Sequence, residues 1–117
     1  MNDRELLELA AKAARLKIDK SEYNGGGSGN TGFDILGNAV LDWHNGKKWN
    51  PLRDDGDALR LAVKLKLDVM FFEGFGEVIV ESNDASVRCS ELYGADTMPA
   101  TRRAIVRAAA EMGRRVL

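Results

Sequence analysis

The sequence predicts an α+β domain in the order helix, Trp hairpin, central helix, three-stranded antiparallel meander, C-terminal helix, with the helices on one face of the sheet. Three observations carry this. Three segments space their apolar residues as one side of a helix requires. Between residues 67 and 91, three short runs rich in β-branched and aromatic residues are separated by Glu73-Gly74-Phe75-Gly76 and by Asn83-Asp84. Asn45-Gly46, between aromatic flanks, is a strong local signal for a hairpin. At 117 residues, the chain is expected to fold as one domain with its own core, needing neither disulfide nor metal.

Asp3 suits the cap of a first helix running through Arg15 or Leu16, with Leu6, Leu9, Ala10, Ala13 and Leu16 along its buried side. Ile18 to Tyr23 fits either a short edge strand or a loop. Gly25 to Gly32 then breaks all regular structure. This stretch is read as a flexible surface connector, because it lacks the Lys-Ser/Thr ending of a phosphate-binding loop and does not join a clear strand to a helix.

Beyond it, a two-residue turn at Asn45-Gly46 would pair Trp43 with Lys48 and Asp42 with Trp49, placing the two indoles on opposite faces. A three-residue loop would change that register, so either Trp is a candidate for burial. Asn50-Pro51 holds the chain extended ahead of Asp54, which is placed at the N-cap of the central helix with Asp57 at N3. Ala58, Leu59, Leu61, Ala62, Val63 and Leu65 cover most of that helix, leaving Asp57, Arg60 and Lys64 on a narrow polar stripe. A helix so apolar is expected to be covered by other elements and to form the core.

The meander follows as Leu67 to Phe72, Glu77 to Ser82 and Ser86 to Glu91. A two-residue turn at Asn83-Asp84 would set Val80 opposite Val87, Val78 opposite Cys89, Ile79 opposite Arg88 and Glu81 opposite Ser86. Across the Gly74 loop, Phe71 falls opposite Val78 and Val69 opposite Val80. Two independent turns thus select the same apolar face. Met70, Phe72 and Ile79 point to the other face, with Phe75 at the loop tip; they form an exposed partner-binding patch unless the first helix or the hairpin covers them. Pro99 suits the first turn of a last helix, introduced by Asp96-Thr97 and running to about Arg115, with Ile105, Ala108, Ala109, Met112 and Val116 buried. Arg103, Arg107 and Arg114 line another side, with Arg102 and Arg115 at its edges. Such a row can hold phosphates, or it can be a solvated face.

A formal charge of -1 gives no global attraction to nucleic acid. The distribution is uneven, however: residues 101–117 carry five arginines against the single Glu111, and the remainder is acidic. One cysteine, Cys89, fits a reducing compartment. The start Met1 to Glu5 has no basic segment leading into an apolar run, and no apolar stretch is long enough to span a bilayer. A cytosolic location is therefore expected, with no membrane partner. Asp54, Asp55 and Asp57 have the spacing of a helix start rather than of a metal site. His44 sits at a hairpin tip, and Cys89 on the inner face of a strand. Nucleophile, base and electrophile do not assemble, so no catalytic residue, metal or cofactor is expected and the chain is read as a non-enzyme.

Two segments carry a family likeness. Trp49-Asn50-Pro51-Leu52-Arg53-Asp54-Asp55-Gly56-Asp57-Ala58-Leu59-Arg60-Leu61-Ala62-Val63-Lys64-Leu65 and Ala100-Thr101-Arg102-Arg103-Ala104-Ile105-Val106-Arg107-Ala108-Ala109-Ala110-Glu111 resemble short uncharacterised proteins of tailed bacteriophages and prophages, akin to the NinX-like proteins of unknown function. The resemblance implies a phage origin and a small accessory protein, with no established reaction to carry over. In that setting the expected function is binding and inhibiting a host protein, such as a component of a bacterial defence system, in the host cytoplasm through Met70, Phe72, Phe75 and Ile79. Self-association through the same patch is compatible with it. The alternative is a binder of a phosphate-bearing ligand, a nucleotide signal or nucleic acid, using Arg103, Arg107 and Arg114 with Trp43 or Trp49. A structural role in the virion is a weaker third.

Overall fold

A computed structural model describes residues 1–21 and 31–116. The Gly-rich connector lies outside the described residues except for Thr31 and Gly32, as do Tyr23 and the residues beside it. The chain forms α1 (Asp3–Ala13), a two-stranded hairpin of β1 (Ala39–Asp42) and β2 (Lys47–Trp49), then α2 (Asp55–Leu65). The antiparallel meander β3 (Asp68–Phe72), β4 (Glu77–Glu81) and β5 (Arg88–Leu92) follows, and α3 (Thr97–Arg114) closes the fold.

Helix starts follow the side-chain chemistry of their caps. Asp54 accepts from the Asp57 amide and Asp96 from the Met98 amide, satisfying N–H groups that the first turn leaves without partners. At α1 the cap is Asn2, one residue before the expected Asp3; its side chain accepts from the Glu5 amide, and Asp3 instead adds charge to the first turn. The helix ends were less visible in the sequence. Arg15 and Lys66 adopt left-handed backbone at φ 60° and 55°, and each makes a Schellman turn, with Leu16 N–H donating to Ala11 O and Leu67 N–H to Ala62 O. Neither site carries the glycine that usually announces such an end, so α1 stops at Ala13, short of the expected Arg15 or Leu16.

The hairpin is wider than a two-residue turn. Asp42 pairs with Lys47 and Val40 with Lys48, Leu41 forms a bulge, and residues 43–46 make the turn with Gly46 at φ 67°. Trp49, opposite Ala39, is buried, while Trp43 is half-buried and donates its indole N–H to Asp19 O. In the meander, β3 and β4 pair as expected, Val69 with Val80 and Phe71 with Val78. The β4–β5 pairing is displaced by two residues: Val80 faces Cys89, Ile79 faces Ser90 and Glu81 faces Arg88. The cause is a longer turn. Ser82 N–H donates to Val87 O, Ala85 takes a left-handed φ of 61°, and Asp84 accepts from the Ser82 and Ser86 hydroxyls. A slip of two keeps every side chain on its face, so Val78 and Val80 remain inside.

The helices do not share one face of the sheet. Only α3 packs extensively on the meander, against β4 and β5, while α1 and α2 pack on α3. Burial follows this arrangement. Ala104, Ile105, Val106, Ala108, Ala109, Ala110 and Gly113 of α3 are buried, against only Ala58, Leu61 and Ala62 of α2. Leu59 and Val63 of α2 are 64% and 58% exposed, so the central helix of the chain is a peripheral helix of the fold. Small residues let α1 and α3 approach closely. A Cβ at Gly113 would strike the Leu9 carbonyl oxygen and lie 2.8 Å from its carbon.

Candidate binding surfaces

The Trp49–Asp57 segment builds a rigid corner from polar contacts. Asn50 is buried; its Oδ1 accepts from the Leu52 amide, its carbonyl from the Arg53 and Asp54 amides, and its Nδ2 donates to Asn38 Oδ1. The clustered aspartates have separate structural roles. Asp54 caps α2, Asp55 pairs with Arg102 at 2.7 Å, and Asp57 accepts from the Asn50 amide and from Arg60. Among the described residues no group of three or more His, Cys, Asp or Glu side chains is arranged to hold a metal. Beside this corner, Asp34 accepts from the Asn38 and Leu36 amides and meets Lys48 at 2.9 Å. Burial works against its ionisation, but the Lys48 ammonium and these amides prevail and hold its pKa down at about 2.

The arginine row of the last helix is distributed among neighbouring elements. Arg103 pairs with Asp3 of α1 at 3.2 Å, Arg107 with Glu91 and the Ser90 carbonyl of β5, and Arg114 with Glu111 in its own helix. At the edges, Arg102 donates to Leu52 O and Asp55, and Arg115 to Ser86 O in the β4–β5 turn. Arg102, Arg103, Arg107 and Arg115 thus tie α3 to the elements around it while Arg114 stays on its own helix, and the five do not form one open row. Neither indole joins them as a stacking platform, since Trp49 is enclosed and Trp43 is held against Asp19. The carboxylate of Asp19 is itself held below its usual pKa, first by the Trp43 amide and then by that of Ser21.

The expected apolar patch is rearranged. Ile79 is only 6% exposed, because it lies on the middle strand between Met70 and Ser90, and Met70 is half-buried. Neither α1 nor the hairpin makes an extended contact with the meander, so cross-strand neighbours flank Ile79 instead. What remains open is one end of the sheet. Phe72 is exposed, Phe75 is 80% exposed in the turn, and Leu92 is 75% exposed. Phe72 and Leu92 flank Glu77 on one face, with Phe71 exposed on the other. The two-residue slip brings Leu92 into the ladder, whereas the shorter turn expected from the sequence sets Ser90 opposite Glu77 and leaves Leu92 beyond it. At the same end the Tyr93 hydroxyl is enclosed, and burial, followed by the neighbouring Glu73 carboxylate, pushes its pKa up.

His44 is exposed in the hairpin turn. Cys89 is half-buried on the α3 side of β5, where burial pushes its thiol pKa up against the pull of Arg107. No helix among the described residues is long and apolar enough to cross a membrane. No family model, no curated protein and no solved structure matches the chain.

Proposed function

We propose that the chain acts by binding rather than by turnover, as a small phage accessory protein that engages and inhibits a host protein, a defence component, in the host cytoplasm. The phage setting rests on the resemblance of the Trp49–Leu65 and Ala100–Glu111 segments. The binding surface rests on one observation, the exposure of Phe71, Phe72, Phe75 and Leu92 at the same end of the meander. Aromatic and leucine side chains left together in water favour burial against a partner, and aromatic residues are the commonest anchors of protein interfaces. Relative to the patch read from the sequence, Phe72 and Phe75 are retained, Leu92 is added, Ile79 and Met70 lie packed beside them, and Phe71 is exposed on the opposite face of the same end.

Affinity capture from bacterial lysate tests this reading. The wild-type chain should retain a discrete partner that a Phe72→Ser, Phe75→Ser, Leu92→Ser variant of unchanged thermal stability loses. Identical captured proteins on both would overturn the surface. Sedimentation of the purified chain separates self-association, which would instead make the patch a homo-oligomer contact.

A further inference from the structure

We infer that the cleft between the Trp hairpin and α2 binds a small phosphate-bearing ligand of the nucleotide class. This site shares no residue with the apolar end of the meander. On α2 the spacing of Asp57, Arg60, Leu61 and Lys64 places all four on one helical stripe, and that stripe faces Lys47, Lys48 and Trp49 of β2 across a cavity of about 440 Å³. Its volume lies within the ~300–1,000 Å³ of small-molecule sites. Four cations therefore converge on one cleft in a chain whose formal charge is -1.

Two of these cations are already paired: Arg60 with Asp57 at 2.7 Å and with Asp54 at 3.7 Å, and Lys48 with Asp34 at 2.9 Å, while Asp57 also accepts from the Asn50 amide. Lys47 and Lys64 make no ion pair among the described residues, and Arg60 retains further N–H donors after its pairing. Positive charge held across a cleft from two rigid elements attracts an anion whose oxygens can bridge both sides. Leu16, Leu41, Leu61 and Trp49 also line the cleft; the last two are almost wholly buried, so the half-buried Leu16 and Leu41 are the apolar surface that a flat ring attached to that anion would meet. A larger hollow of about 640 Å³ along α1 has mixed charge, Glu5 and Glu8 against Lys12 and Lys20, and lacks this polarity. The arginines of α3 are each held by a neighbour and spread over several elements, so the cleft presents the chain's concentrated positive site among the described residues.

The test is thermal stability and calorimetric titration with adenosine mono- and triphosphate, a cyclic dinucleotide, tripolyphosphate, adenosine and a single-stranded oligonucleotide. At least one nucleotide should raise Tm, adenosine should not, and the shift should shrink as salt is added. A Lys47→Gln, Lys64→Gln variant should keep the ligand-free Tm, because both side chains are exposed and make no ion pair among the described residues, while binding the nucleotide at least about tenfold more weakly. Absence of any nucleotide shift, equal binding by the variant, or binding of the oligonucleotide alone would each overturn the proposal.

Discussion

Helices α2 and α3 both carry many apolar residues, Ala, Leu and Val in α2 and Ala, Ile and Val in α3, yet they occupy opposite positions in the fold. α3 is enclosed by α1, α2 and two strands of the meander, whereas α2 touches chiefly α3 and leaves Leu59 and Val63 in water. The difference lies in residue size and in reach. α3 presents Ala104, Ala108, Ala109 and Gly113 to its neighbours, which lets other backbones come close, and its charges are long arginines that extend past the packed surface to partners on α1, β5 and the corner before α2. α2 carries larger side chains on a short cylinder that only one other helix covers. A high apolar fraction therefore indicates that a helix can be buried, while its neighbours determine whether it is.

The sharpest way to break this comparison is to truncate the buried helix. Ile105→Ala should cost about 2–5 kcal/mol, read from urea unfolding. Gly113→Ala should cost about 1–3 kcal/mol, although alanine is the better helix former by about 1 kcal/mol. A stabilised Gly113→Ala protein would mean that α1 and α3 are not in backbone contact. The corner ahead of α2 is held by polar contacts by contrast, from Asp34 through Asn38 to Asn50, and acid should expose this. Asp34 ionises with a pKa near 2 in the folded chain against an ordinary 3.8, so its contribution is complete above about pH 4 and is lost as pH falls toward 2. Urea midpoints through that window should fall more steeply for the wild type than for Asp34→Asn.

Lys66→Gly should stabilise the protein by about 1 kcal/mol or less, because it relieves the left-handed backbone that ends α2. Last and smallest, Leu59→Gln should change stability by no more than about 0.5 kcal/mol. A loss as large as that of Ile105→Ala would show that α2 is covered after all.

The sequence alone determined the features that depend on near neighbours in the chain. Asp54 and Asp96 mark helix starts because a carboxylate two or three residues ahead of free amides must cap them, and the short Gly74 loop sets the β3–β4 register. Alternation then puts Val78 and Val80 inside even when the next turn is misjudged by two residues. Tertiary structure decided the rest. Arg15 and Lys66 end helices in a conformation their side chains disfavour, Asn2 takes the cap ahead of Asp3, and the arginines of α3 are divided among separate elements. Ile79 is buried on a face that no helix covers extensively, and Lys47 and Lys64 meet across a cleft from separate segments. Each of these outcomes depends on which surfaces come together in space, and burial and charge pairing are properties of that meeting rather than of any residue's place in the chain.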